Sequence, residues 1–144
     1  MRHLICSTFI PRPRHKILHT LLLGENAEYQ DYTLRIVGHS LGAGVAPKMA
    51  TALARHNIAV AYVAMLDPVE PTQVGGEVEE IINYYLPKKK KDNKLYASSD
   101  FSGELDNVNP RKFGDIDHFN IDENRNLKGV ILTKIVEYAK EPAE

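Results

Sequence analysis

The chain has one cysteine, Cys6, and no tryptophan in 144 residues. A single thiol excludes an intramolecular disulfide and any metal site built on paired cysteines, and it fits a reducing compartment. As a nucleophile Cys6 has little to favour it, because a lone small thiol is ordinarily just packed. No apolar run approaches the roughly 20 residues that a membrane-crossing helix needs. A secretory leader is not read either: Arg2 and the apolar run from Leu4 to Ile10 lead directly into Pro11, Arg12, Pro13 and Arg14, without a small-residue cleavage site. A cytoplasmic location is the expectation. An excess of one charge is also missing. With 18 Lys and Arg against 19 Asp and Glu, no overall field draws the surface to nucleic acid. What remains, 43% hydrophobic and 26% charged residues, is an ordinary globular composition, and residues 1–144 suit a single domain and are too few for two.

Residues 1–30 carry weak periodicity and are basic up to Lys16. The run Thr33 to Val37 is β-branched and apolar, is followed at once by Gly38, and predicts a buried strand of a parallel sheet. A helix follows from Leu41 to Arg55, where Leu41, Val45, Met49 and Leu53 recur every four residues and Ala46, Ala50 and Ala54 widen the stripe. Pro47 removes one helical hydrogen bond, predicting a kink. Ile58 to Leu66 reads as a second buried strand, ending at Asp67-Pro68. Strand, helix, strand implies a parallel pair whose C-terminal ends share one edge, where open α/β sheets build their sites. Ile81 to Leu86 adds a third strand, which Pro87 ends. The stretch from Lys88 to Asp117 is polar and reads as loop with at most a short element, its Lys88 to Lys91 run a solvated face. A last helix carries Leu127, Val130, Ile131, Ile135 and Tyr138 at helical spacing and covers one sheet face.

The most informative stretch is Gly38-His39-Ser40-Leu41-Gly42, placed between a predicted strand and a predicted helix. A serine on so sharp a turn takes strained backbone angles, and glycines two positions to either side let neighbouring backbone pass. The Leu41 amide falls at a helix N-terminus, where partial positive charge can hold an oxyanion. A serine needs a base and an acid that orients it, in the chain order serine, acid, histidine. His118 is the one histidine after His56. Asp67 ends the next strand, and Asp100, Asp106 and Asp115 are further candidates for the acid. Asp117, adjacent to His118, points away from it on a turning chain. His39 reads as shape rather than base. Two blander readings compete. Gly42-Ala43-Gly44 with Asp67 would suit a dinucleotide fingerprint, but Pro47 stands where its third glycine belongs. Ser40 as a simple helix cap explains the serine and not both glycines.

On these residues VGHSLGAG resembles the nucleophile elbow of lipase-, esterase- and thioesterase-like bacterial α/β-hydrolases. The resemblance extends from about residue 31 to about residue 138 through Asp67-Pro68, Asn83-Tyr84-Tyr85 and the segment His118-Phe119-Asn120-Ile121-Asp122. It implies a partial α/β-hydrolase fold, a mostly parallel sheet flanked by helices. It also implies a triad of Ser40, Asp67 and His118, Leu41 as one oxyanion donor, a small acyl ester or thioester as substrate, and no metal or cofactor. The departure lies upstream. About 30 residues before the strand supply one strand at most, with Leu4 to Ile10 the candidate and Pro11 to His15 behind it, so the second oxyanion donor is unassigned. A shortened sheet leaves an edge that a second copy of the chain would cover. Losing one donor costs about a hundredfold to a thousandfold in rate. The alternative is accordingly a truncated, noncatalytic remnant that serves binding or assembly.

Overall fold

β-Branched and apolar residues form the strands, and the computed structural model describes residues 5–8, 33–88 and 93–140. The strands in chain order are β1 (Ile5–Thr8), β2 (Thr33–His39), β3 (Ala59–Leu66), β4 (Thr72–Val74), β5 (Glu80–Tyr84), β6 (Leu95–Ala97) and β7 (Glu104–Val108). The helices are α1 (Leu41–Ala54) and α2 (Arg125–Lys140), with a 3-10 turn at Pro110–Phe113. The basic stretch through Lys16, the Pro11 to His15 loop and Lys89 to Lys91 lie outside the described residues. Five strands form one sheet in the order β1-β2-β3-β5-β7, and β4 pairs with β6 apart from it. Every pairing is parallel. The C-terminal ends of the five strands therefore share one edge. This is the mostly parallel, helix-flanked α/β arrangement expected from the sequence.

Both faces of the sheet are covered, which is why β3 is apolar along its length. On one face Ile36, Val63, Met65 and Ile81 pack against Ala43, Ala46, Ala50 and Leu53 of α1. On the other, Tyr62, Ala64, Leu66, Ile82 and Tyr84 pack against Leu127, Ile131 and Ile135 of α2. The period of two breaks once. Leu34 pairs with Val60 and Arg35 with Tyr62, so Ala61 is an extra residue, and this bulge puts Val60 on the same face as Val63.

α1 continues on both sides of Pro47, whose ring is buried. It closes at Asn57, which takes φ 59, while the Ile58 amide donates to the Leu53 carbonyl. α2 starts at Asn124, whose side-chain oxygen accepts from the Leu127 amide at 2.9 Å. It is tied to the far edge of the sheet through buried Glu80, which accepts from Lys134 Nζ at 3.1 Å and from the Tyr138 hydroxyl at 2.9 Å. The Arg35 guanidinium donates to the Tyr138 carbonyl.

Two readings are corrected. The polar stretch from Lys88 to Asp117 holds β6 and β7, and β7 is a full edge strand of the main sheet. Its residues, Glu104-Leu105-Asp106-Asn107-Val108, are at least partly exposed. Hydrogen bonding to β5 alone makes this a strand, without the apolar signature of a buried one, and its charges discourage further pairing. The strand expected from Ile81 to Leu86 runs instead from Glu80 to Tyr84. Among the described residues, no helix is long and apolar enough to cross a membrane.

Candidate active site

Ser40 alone joins β2 to α1, and it does so at φ 57 and ψ −118. A residue with a side chain pays about 1–3 kcal/mol for such angles. Two features hold it there. Its amide donates to the Leu66 carbonyl at 2.9 Å, continuing the β2–β3 ladder by one step. Gly38 lets the end of β2 meet the first turn of α1 so closely that a Cβ there would lie 2.4 Å from the Gly42 carbonyl oxygen. The Ser40 hydroxyl does not cap α1, so the simple-cap reading does not describe what the side chain does.

Asp67 repeats the pattern one strand over. It stands one residue beyond β3 with φ 42, and its amide donates to the Tyr84 carbonyl at 2.8 Å. Its side chain is fully buried. A buried carboxylate must be hydrogen-bonded or paired, and this one is both. Oδ1 accepts from the Leu86 amide at 3.1 Å and Oδ2 from His118 Nδ1 at 2.6 Å. Lys88 Nζ stands 3.7 Å from the same Oδ2.

His118 rides on a turn that braces itself. Asp117 Oδ1 accepts from the Phe119 and Asn120 amides at 2.7 and 3.0 Å, and Asn120 Oδ1 accepts from the Asp117 amide at 2.8 Å. Asp117 is thereby occupied with its own turn. The turn delivers His118 Nε2 to 3.1 Å from Ser40 Oγ. Since Asp67 accepts at Nδ1, the neutral ring carries its proton there, Nε2 is a lone pair, and the serine hydroxyl donates to it. The Leu41 amide, at the first position of α1, has no intrahelical partner. Leu41 and Phe119, next in the chain to Ser40 and His118, are 67% and 85% exposed and leave apolar surface beside a polar centre.

The structure thus brings together Ser40, Asp67, His118 and Leu41. The other acids lie elsewhere: Asp100 takes a hydrogen bond from Ser98 in an exposed turn, Asp106 lies on β7, and the Asp115 carbonyl is held by Asn120. Gly42 and Gly44 sit inside α1, and a Cβ on Gly44 would meet nothing nearer than Thr72 Oγ1 at 3.8 Å. A fingerprint that depends on close backbone approach finds none at Gly44. Sequence reasoning missed the Leu86 amide and Lys88 as neighbours of Asp67. The available signal was Pro87, which ends the third apolar run at the same sheet edge as Asp67. Among the described residues, no cluster of three or more His, Cys, Asp or Glu side chains is placed to hold a metal ion.

Residues 7–69 match the model of the lipase (class 3) family. The match takes in just under half of the chain, including β2, Ser40, α1, β3 and Asp67, and it stops short of His118. No curated protein and no solved structure matches the chain. Over this segment the chain is similar to the lipase (class 3) family, and the mostly parallel, helix-flanked sheet is consistent with that similarity.

Proposed function

We propose that this lipase-like chain is a serine hydrolase that cleaves carboxylic esters or thioesters through an acyl-enzyme on Ser40. The observation that carries the reading is the continuous hydrogen-bond chain from Asp67 through His118 to the hydroxyl of a serine held at a strained turn. In the first step His118 Nε2 takes the hydroxyl proton as Ser40 Oγ bonds to the substrate carbonyl carbon. The carbonyl oxygen gains the electron pair and is held by the Leu41 amide and the positive end of α1. Collapse of this intermediate breaks the bond to the alcohol or thiol, which leaves with the proton from His118. Water then attacks the acyl-enzyme by the same route, giving a carboxylic acid and restoring Ser40. Asp67 fixes the tautomer of His118 and stabilises the imidazolium in both halves. The exposed Leu41 and Phe119 suit an acyl group with an apolar chain.

A second reading is a noncatalytic α/β-hydrolase remnant, and it is favoured by the fact that among the described residues one oxyanion donor, the Leu41 amide, is assigned. A fluorophosphonate probe separates the two without knowledge of the substrate. Stoichiometric labelling at Ser40, located by peptide mass spectrometry and lost in Ser40→Ala, is the expected result. Folded protein that takes no label would overturn the hydrolase reading and leave the remnant.

A further inference from the structure

His39 is the last residue of β2, and its ring stands apart from the proton path just described. Its Nε2 lies 2.8 Å from the backbone carbonyl oxygen of His118. A carbonyl can only accept, so Nε2 carries a proton and donates it. The two imidazole rings are 5.1 Å apart and tilted by 43°. His118 is therefore held by two consecutive residues of the elbow: Ser40 meets its ring and His39 meets its main chain. The turn that carries His118 is braced from within through Asp117 and Asn120, and buried Ile116 and Ile121 on either side of it seat it on the core beside Tyr62 and Tyr84. Those contacts fix the shape of the turn and seat its two ends, while the His39 bond is made at His118 itself.

We propose, resting on the hydrolase reading, that His39 is a positioning residue whose Nε2–H anchors the His118 backbone to the end of β2 and thereby sets the distance between His118 Nε2 and Ser40 Oγ. The physical reason is leverage. His118 reaches Asp67 on one side and Ser40 on the other, and each contact depends on where its Cα stands. β2 is an inner strand of the sheet, so a bond from its last residue ties the turn to a strand paired on both sides. A displacement of the order of 1 Å costs about a hundredfold in rate even when every reacting group is present.

The test compares His39→Phe, which keeps a ring and loses the donor, with His39→Gln, which keeps an N–H donor. With the fluorophosphonate probe the Phe variant should react about tenfold to a hundredfold more slowly at saturation with an unchanged half-saturating concentration, and the Gln variant should recover most of the rate. Equal reaction of native and Phe proteins, or equal slowing of the Phe and Gln variants at unchanged melting temperature, would overturn the assignment. Imidazole proton NMR gives a readout that does not need a reactive serine. The His118 Nδ1–H resonance, hydrogen-bonded to Asp67, should broaden or move in His39→Phe and persist in His39→Gln. A resonance unchanged in the Phe variant overturns the proposal even if native protein takes no label, whereas absent labelling with the expected NMR change overturns only the hydrolase reading.

Discussion

Replacing Gly38 by alanine tests the elbow by the size of a single methyl group. The new Cβ would lie 2.4 Å from the Gly42 carbonyl oxygen, 2.6 Å from its carbonyl carbon and 2.9 Å from the Ala43 nitrogen. All three are backbone atoms, so no side chain can swing aside. Real Cβ atoms essentially never come within 3.0 Å, and the end of β2 must therefore move from the start of α1 by about 0.6 Å. Forced movement of packed backbone costs about 1–3 kcal/mol, which lowers the melting temperature of a chain this size by about 3–10 °C. The same movement shifts Ser40 against His118 and should slow fluorophosphonate labelling by about tenfold or more. Gly44→Ala is the internal control. Its Cβ would meet only Thr72 Oγ1 at 3.8 Å, ordinary contact, and alanine inside a helix gains about 0.5–1 kcal/mol over glycine. Scanning calorimetry and labelling on the two variants should move in opposite directions for stability, with activity lost only in Gly38→Ala. A Gly38→Ala protein that melts and labels like the native one would refute the close approach on which the elbow argument stands.

Three further outcomes are expected. Ser40→Gly should melt above Ser40→Ala by the equivalent of about 1 kcal/mol, because φ 57 strains alanine and not glycine, and neither variant should take label. Asp67→Asn should fold and lose about 10⁴-fold in turnover, since an amide facing His118 Nδ1 favours the wrong tautomer; a loss below tenfold would remove Asp67 from the mechanism. Stability should fall in alkali. Burial raises the Tyr62, Tyr84 and Tyr138 phenols, with Glu80 adding to the effect at Tyr138, and the Glu80 hydrogen bond raises Lys134. Groups raised in the folded state contribute stability that is complete below their ordinary values, about pH 10, and is lost as the pH climbs through the folded ones. Tyrosinate absorbance and circular dichroism should therefore change together above that pH, and independent titration of the tyrosines before unfolding would contradict the burial of Tyr62 and Tyr84 beneath α2.

The elements that place the site were legible because they carry strong local signals. The apolar run before Gly38, the alanine-rich helix after it and the apolar run before Asp67 each bury a face or both faces of a layer, and burial writes itself into hydrophobic pattern. β7 was not legible for the converse reason: an edge strand buries little, so Glu104, Asp106 and Asn107 leave the pattern of a loop. The β3 bulge was equally hidden, since an extra alanine among apolar residues disturbs no pattern while it exchanges the faces on either side.

Local pattern was enough to seat Ser40 between a strand and a helix with glycines on both sides, because those constraints act within a few residues. The sequence also limited the downstream histidine to His118. It favoured Asp67 over the later aspartates without excluding them, because the choice depends on which carboxylate the sheet edge brings within hydrogen-bond reach. The placement comes from the sheet: Ser40 and Asp67 each step one residue past parallel strands, and each amide bonds to the end of the next strand. The turn that follows β7 then carries His118 back to both across 78 and 51 residues of sequence. Only tertiary structure could set the Leu86 amide and Lys88 beside Asp67, or His39 beneath the His118 carbonyl, since distances between residues far apart in the chain are fixed by strand order and register and by no local preference.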